Sequence, residues 1–242
     1  VTNPEGEVVA RCASASRKDS RDAVEAARSG LGKWRDSTAM LRGQVMYRAA
    51  EMLEGRAAEL TEALQFGGAG AAAARQEVDA SIDRMVMLAG WCDKIHQVLG
   101  CQNSVTSPYH CFTIPQPCGV VVAFSPAEPA LLSLVTLVGA AMSIGNSVVA
   151  VAPPQAGLAA VLLGEVLAVS DVPAGAVNIL TGNQKDLVEP LGGHREVAVV
   201  VSGGLSKASR VAVRMAAADG IRRVHAVPWT GSAWEDDEET CS

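Results

Sequence analysis

The 242-residue chain is 49% hydrophobic but only 4% aromatic, and it has a formal net charge of −6. Its length fits one large or two modest domains, and its many small aliphatic residues favour helices packed closely on a parallel sheet. The acidic run at residues 235–239 contains most of the excess negative charge, so the remaining chain is near neutral, which argues against a basic nucleic-acid-binding face.

The first 118 residues predict an N-terminal strand, helices and a connecting loop. The strand covers residues 7–12, and Asp19 is expected to cap a helix over residues 22–34. Apolar residues at helical spacing predict a second helix over about residues 38–66 and a third over about residues 72–98. Residues 100–117 predict the loop.

Residues 119–231 alternate short apolar runs with helical stretches of small residues. The runs GVVVAFS, SVVAVAP, AVNILTG, EVAVVVSGG and IRRVHAVPW predict five strands. Because continuous Val, Ile and Leu runs indicate strands buried on both faces, this region predicts a doubly wound parallel sheet of the Rossmann-like α/β class. Residues 232–242 predict an acidic tail.

No Asp, Glu, Lys or Arg occurs between Glu128 and Glu165. This stretch exceeds the roughly 20 residues of a membrane-spanning helix, but Gly145, Asn146 and Pro153 interrupt it. We therefore interpret it as a buried helix followed by a buried strand, with no membrane partner.

The six cysteines lack a metal-binding or redox spacing. They predict reduced thiols in a cytoplasmic protein without a signal peptide or a metal site. A structural zinc ion or a disulfide is the alternative.

Several fragments, in this order, resemble the NAD(P)-dependent aldehyde dehydrogenases: NPEGEVVA, LAGWCDKI, QPCGVVVAFSP, IGNSVVAVAP, VPAGAVNILTG and VVSGG. The resemblance implies N-terminal helices followed by the family's coenzyme domain, for which NAD is the family coenzyme. The family's catalytic domain, which would follow, is expected to be absent from this chain. The chain also resembles the truncated second module of the tandem family 16 aldehyde dehydrogenases.

The resemblance implies that several functional positions are altered. Ala127 stands where the family has an asparagine that stabilises an oxyanion, and losing one such donor costs about 10²–10³ in rate. Val151 and Pro154 stand where a lysine and a glutamate hold the adenine ribose. Val227 stands at the general-base glutamate, and a valine cannot accept a proton.

Two further positions depart from the family pattern. Trp229 and Thr230 replace a pair of glycines after the fifth strand. Cys241 is the only downstream cysteine, and the acidic residues beside it disfavour the thiolate that a nucleophile needs. We expect no catalytic residue and no bound coenzyme.

The pyrophosphate turn of the family becomes Ser202-Gly203-Gly204, with Ala208 in place of a helix glycine. A helix N-terminus here could still bind an anion, although a Gly-Gly turn is more often only a turn. The predicted remnant of a cofactor cleft consists of Ser125, Ala127, Val151, Pro154, Ser202, Gly203 and Gly204.

Three functions follow from this pattern. The first is a non-catalytic module with a structural or protein-interaction role, whose partner is another aldehyde dehydrogenase module or subunit, or another protein. The alternative is a part of an aldehyde dehydrogenase whose active site lies on another module or subunit, docked through residues 209–224 or the last strand. The third is a regulatory domain that binds a nucleotide or anion at the Gly203-Gly204 turn.

Overall fold

The structure is a computed structural model that describes residue 8, residues 10–218 and residues 220–227. The helices are α1 Arg17–Arg35, α2 Ala39–Gly55, α3 Ala57–Phe66, α4 Ala71–Trp91, α5 Ile95–Val98, α6 Ala130–Ser143, α7 Gly157–Ala168, α8 Gln184–Gly192 and α9 Lys207–Ala218. The strands are β1 Cys101–Asn103, β2 Cys111–Thr113, β3 Val120–Phe124, β4 Ser147–Val151, β5 Val177–Leu180, β6 Val197–Ser202 and β7 Arg223–Ala226.

The five valine-rich runs form one parallel sheet in the order β5-β4-β3-β6-β7. Every residue of β3 and β4 is buried, as expected for strands that are covered on both faces. From β3 the chain moves outward to β4 and β5, then returns to β6 and β7, so the topological switch point lies between β3 and β6. The predicted doubly wound α/β class is confirmed.

Two apolar cores enclose the sheet. The larger core joins one face to α2, α3, α4, α6 and α7, and it contains Leu53, Met85 and Leu131. The smaller core includes residues of α1, α8 and α9, and Val24 and Phe124 belong to it. Because the larger core draws on α2–α4 as well as on the sheet, the N-terminal helices are part of the packing that supports the strands.

Helix α6 ends two residues before a glycine with a left-handed backbone. The helix ends at Ser143, and Gly145 follows with a φ of +96°, a conformation that favours glycine after a helix. The Gly145 N–H donates to the Met142 carbonyl at 2.9 Å, and the Asn146 N–H donates to the Ala141 carbonyl at 3.1 Å. None of the described helices combines the length and the apolar character needed to cross a bilayer.

The second and third predicted helices were too long. The second is broken at Arg56, which has φ −112° and ψ 17°. The Arg56 guanidinium contacts Glu59 at 2.7 Å and Glu165 of α7 at 2.6 Å. The third ends at Trp91, and α5 is a separate single turn.

The predicted cap of α1 and the N-terminal strand also need correction. Ser16 is the N-cap, and the Asp19 carboxylate reaches back to accept the Ser16 N–H at 2.7 Å, which completes a capping box. Residues 10–12 form no strand, Val8 is an exposed residue in an isolated bridge, and the rest of the predicted strand lies outside the described residues.

The predicted loop over residues 100–117 contains a hairpin. Strands β1 and β2 pair antiparallel, with Cys101 opposite Thr113 and Asn103 opposite Cys111. The prediction missed it because each strand has only three residues, too few to establish an alternating pattern.

Close packing of α1 on the loop before β5 is testable at Gly30. A Cβ on this residue would lie 2.6 Å from the Ala174 carbonyl oxygen, so we expect Gly30→Ala to destabilise the protein by about 1–3 kcal/mol, as overpacking does. Gly32, on the same helix, is the control: its Cβ would meet nothing within 4 Å, so Gly32→Ala should be neutral or stabilising by up to about 1 kcal/mol. Urea unfolding provides the comparison, and equal midpoints for the two variants would contradict the close packing.

Candidate functional site at the carboxyl edge of the sheet

Ligands of open parallel sheets bind beyond the carboxyl ends of the strands, next to the topological switch point. In this chain that region, called here the carboxyl edge, consists of residues 125–129 after β3, 152–156 after β4 and 203–206 after β6. Glu128 is the only charged residue among these three segments. The predicted cleft residues lie in these segments or at the strand ends beside them.

The ends of β3 and β4 are covered by one side chain. Gln184, the first residue of α8, donates from its Nε2 to the Ser125 carbonyl at 2.6 Å and to the Val151 carbonyl at 3.0 Å. The Ser125 N–H also donates to the Val151 carbonyl at 3.1 Å. The Gln184 carboxamide therefore takes up backbone acceptors that face the carboxyl edge.

At the switch point, the two turns lie against each other. The Gly203 N–H donates to the Phe124 carbonyl at 2.9 Å. A Cβ on Gly204 would lie 2.4 Å from the Pro126 Cα, so the backbone after β6 contacts the backbone after β3. Only a residue without a side chain permits this approach.

The N-terminus of α9 is partly satisfied from within the chain. The Ser206 Oγ accepts the Ser209 N–H at 3.2 Å, as a capping hydroxyl does. The Ser202 hydroxyl is only 2% exposed and has no hydrogen-bond partner among the described residues. A buried, unsatisfied polar group lowers the stability of a fold by roughly 1–3 kcal/mol. The Ser202 hydroxyl is such a group, at the end of a mostly apolar strand.

The predicted cleft residues fall into two groups. Buried residues are Ser125, Val151, Ser202 and Gly203, and exposed residues are Ala127, Pro154 and Gly204. The Ser125 hydroxyl lies 2.7 Å from the Ser133 hydroxyl, so its hydrogen-bonding capacity is engaged inside the protein. The structure therefore brings these residues to one edge, where four of them are buried and three are exposed.

The predicted positions after the fifth strand are only partly described. Val227 is half-buried, and its N–H donates to the Ser202 carbonyl at 2.9 Å. It therefore extends the pairing of β7 with β6. Trp229, Thr230 and Cys241 lie outside the described residues.

Glu77 of α4 is a site residue that the sequence analysis missed. Its Oε1 accepts the Leu131 N–H at 2.6 Å and the Leu132 N–H at 3.2 Å, so a carboxylate of the chain occupies the electropositive N-terminus of α6. Burial raises the pKa of Glu77, and Glu128 raises it further, while the two N–H donors oppose the shift. The contact joins residues 54 positions apart, a separation at which local patterns give no signal.

Glu77 and Ala127 line the same groove. The groove has a volume of about 670 Å³ and lies between α4 and the turn after β3, with Gln76, Glu128 and Gln155 also at its wall. Two carboxylates, of Glu77 and Glu128, and two carboxamides, of Gln76 and Gln155, therefore share this groove with Ala127, and no cationic side chain of the described residues lines it.

Comparison with known proteins identifies the family. Residues 1–227 match the family model described as "Aldehyde dehydrogenase family". Over 228 residues the chain is 31% identical to an aminoacetaldehyde dehydrogenase of Pseudomonas aeruginosa, covering 92% of this chain and 45% of the relative. The chain belongs to the aldehyde dehydrogenase family.

Solved structures give the same fold. A putative aldehyde dehydrogenase from Burkholderia cenocepacia superposes with a TM-score of 0.88 at 26% identity, covering 94% of this chain and 46% of that one. PnpE from Pseudomonas sp. WBC-3 superposes with a TM-score of 0.88 at 23% identity and the same coverage. The chain therefore spans about half the length of the relatives that it matches.

The pKa of Glu77 gives a pH-dependent prediction. Its folded-state pKa is raised, so the stability it contributes is present below the unfolded-state pKa and is lost as pH rises through the folded-state pKa. Relative to the wild type, Glu77→Gln should therefore become more stable as pH rises from 4 to about 7, because the amide still accepts both N–H groups without a buried charge.

Glu77→Ala serves as the matched variant. It removes the same titration and also the acceptor, so we expect it to be less stable than Glu77→Gln at every pH by about 0.5–2 kcal/mol, the usual cost of a lost helix cap. Urea unfolding at pH 4, 5.5 and 7 measures both effects. A pH-independent difference between wild type and Glu77→Gln would show that Glu77 titrates normally.

Proposed function

We propose that this chain is a non-catalytic aldehyde dehydrogenase-like module with a structural or protein-interaction role. The observation that carries the proposal is the closure of the carboxyl edge by the chain's own groups. The Gln184 carboxamide covers the ends of β3 and β4, and Gly204 lies against Pro126 at the switch point.

The chemistry at this edge supports the same conclusion. In the family pattern, the positions of Ala127, Val151 and Pro154 supply an amide donor, an ammonium and a carboxylate. Here they supply only apolar groups, and the Val151 side chain is fully buried in the core. A hydrogen bond to a charged group contributes about 1.5–3 kcal/mol, so losing both ribose contacts would weaken coenzyme binding by orders of magnitude.

The space at the edge is a second obstacle. A dinucleotide crossing the strand ends would have to separate the turn after β3 from the turn after β6, and to displace the Gln184 carboxamide. Restoring the missing side chains alone would therefore not restore a coenzyme site. We therefore propose that the chain binds no cofactor. The seven residues of the predicted cleft are proposed to be the remnant of a coenzyme site.

The proposed setting is a larger protein. We infer a module of residues 1–118 packed on a Rossmann-like domain of residues 119–231 and followed by an acidic tail of residues 232–242. Relatives roughly twice as long as this chain support a partner that carries the complementary catalytic part, as in the tandem family 16 proteins that the chain resembles. The cytoplasm is the proposed location.

Coenzyme binding tests the proposal directly. Isothermal titration of the chain with NAD and NADP should give no measurable binding at about 1 mM ligand, which corresponds to a binding free energy weaker than about −4.1 kcal/mol. The intact Pseudomonas aeruginosa relative, titrated in parallel, is the control. Binding to this chain in the micromolar range would overturn the proposal.

A thermal-shift screen with nucleotides and inorganic phosphate tests the Gly203-Gly204 turn separately. A ligand present at about 100 times its Kd should stabilise the fold by about 2.7 kcal/mol. We expect no stabilisation, because Gly203 already donates to Phe124 and Ser206 caps α9. A phosphate-dependent shift would support the regulatory alternative.

A second candidate function has its own observation. On α9, Val211 is 49% exposed and Met215 is 69% exposed, and Ile221 beyond the helix is fully exposed. Strand β7 is beside them and pairs only with β6 among the described residues. This apolar surface supports docking on an intact aldehyde dehydrogenase module, whose activity the chain would influence indirectly.

Charged substitutions separate this candidate from a free-standing module. If α9 docks on an intact subunit, the double variant Val211→Asp and Met215→Asp should no longer co-elute with that subunit, because two carboxylates would be desolvated at the contact. Val86 of α4, 41% exposed, supplies the matched control: Val86→Asp should still co-elute. If the wild type, the double variant and Val86→Asp all co-elute with the intact subunit, any docking surface lies elsewhere on the chain.

A further inference from the structure

Strands β1 and β2 present two cysteines on one exposed face. Asn103 pairs with Cys111, and Cys101 pairs with Thr113. Residues two apart in a strand, and residues directly opposite each other, share a face of the hairpin, so both thiols lie on the same side. Cys101 and Cys111 are exposed and unoxidised.

A single carboxamide lies between the thiols. The Cys101 Sγ is 3.2 Å from the Asn103 Oδ1, and the Cys111 Sγ is 3.4 Å from the Asn103 Nδ2. The same Nδ2 donates to the Thr113 hydroxyl at 3.2 Å. The two sulfur atoms therefore flank one small polar group.

The register argues against a direct disulfide. Cys101 and Cys111 are diagonal neighbours, for which Cα atoms are typically about 7–8 Å apart, whereas disulfides need roughly 4.4–6.8 Å. A bridging metal ion relaxes this requirement. Two metal–thiolate bonds of about 2.3 Å each separate the sulfur atoms by about 4.6 Å, more than twice the ~2.05 Å of an S–S bond.

We propose that Cys101 and Cys111 form a two-coordinate site for a soft monovalent cation, Cu(I). Thiolates select soft ions such as Cu(I). Among the described residues, no group of three or more His, Cys, Asp or Glu side chains is placed to hold a metal, so this pair lacks the four ligands of a structural zinc site. On binding, each thiol releases one proton to solvent and each sulfur bonds the ion, which leaves a bis-thiolate complex of charge −1.

Other thiols of the described chain are less suited. Cys92 is buried, its Sγ is 3.6 Å from the Met46 sulfur, and burial raises the pKa of Cys92 to about 11. The Cys118 thiol contacts the Asn146 side chain at 3.3 Å, and burial raises its pKa also. Neither contacts a second thiol among the described residues.

A copper ion bound to both thiols would also cross-link β1 and β2, the strands of a short hairpin. Isolated two-stranded hairpins are marginally stable in water, and β1 and β2 have three residues each. A bridge between them would restrict the hairpin in the bound state, so copper occupancy should protect residues 101–113 from proteolysis.

The test uses the full, reduced chain under anaerobic conditions. Cu(I) is supplied from a chromogenic bidentate chelator, and competition measures affinity and stoichiometry in a background in which Cys12, Cys118 and Cys241 are replaced by serine. We expect one Cu(I) per chain, with two-coordinate sulfur in the copper K-edge spectrum. Adding Cys101→Ser or Cys111→Ser should each weaken binding at least 100-fold.

Cys92→Ser in the same background is the matched control and should leave binding unchanged. Retained affinity in either hairpin variant would overturn the proposal, as would equal affinity for Zn²⁺.

Discussion

The C-terminal turn of α6 is joined to the N-terminal helices by two long-range side chains. The indole N–H of Trp34 donates to the Met142 carbonyl at 3.0 Å, and the Arg42 guanidinium donates to the Ser143 carbonyl at 3.2 Å and to the Ser37 carbonyl at 2.7 Å. The last carbonyls of a helix have no partner within it, so here they are satisfied by residues from α1 and α2. Burial lowers the pKa of Arg42, yet guanidinium keeps its charge in proteins. The helices before the sheet are therefore part of its support.

The start of α1 is also connected to the residues that cover the carboxyl edge. At the start of this helix, the Ala15 N–H donates to the Thr181 carbonyl at 2.8 Å, which holds the end of β5. Two residues later Asn183 caps α8 through the Lys185 N–H at 3.2 Å, and the next residue, Gln184, lies across the ends of β3 and β4. The residue that anchors the start of α1, Thr181, and the residue that covers the carboxyl edge, Gln184, are therefore only three positions apart in the chain.

The sequence predicted the sheet well, because valine-rich runs form its central strands β3, β4 and β6. It failed where distant side chains decide the outcome. At the break between α2 and α3 Arg56 pairs with Glu165 of α7, and at the N-terminus of α6 Glu77 accepts the Leu131 N–H. The family resemblance singles out positions such as Ala127, but it gives no sign of Gln184, because the acceptors of its carboxamide are backbone carbonyls with no sequence signature.

Because the Gln184 carboxamide is part of the chain, it competes with any free ligand for the carbonyls at the ends of β3 and β4. It is attached to the helix beside the carbonyls that it binds, so its local concentration is set by geometry rather than by supply, and tethered groups commonly reach effective concentrations in the millimolar range or above. A free ligand would compete with an occupant that never diffuses away and that lies 2.6 and 3.0 Å from its acceptors. The apparent affinity of such a ligand would therefore be lowered by the ever-present carboxamide, and the ligand would occupy this edge only at a correspondingly higher concentration.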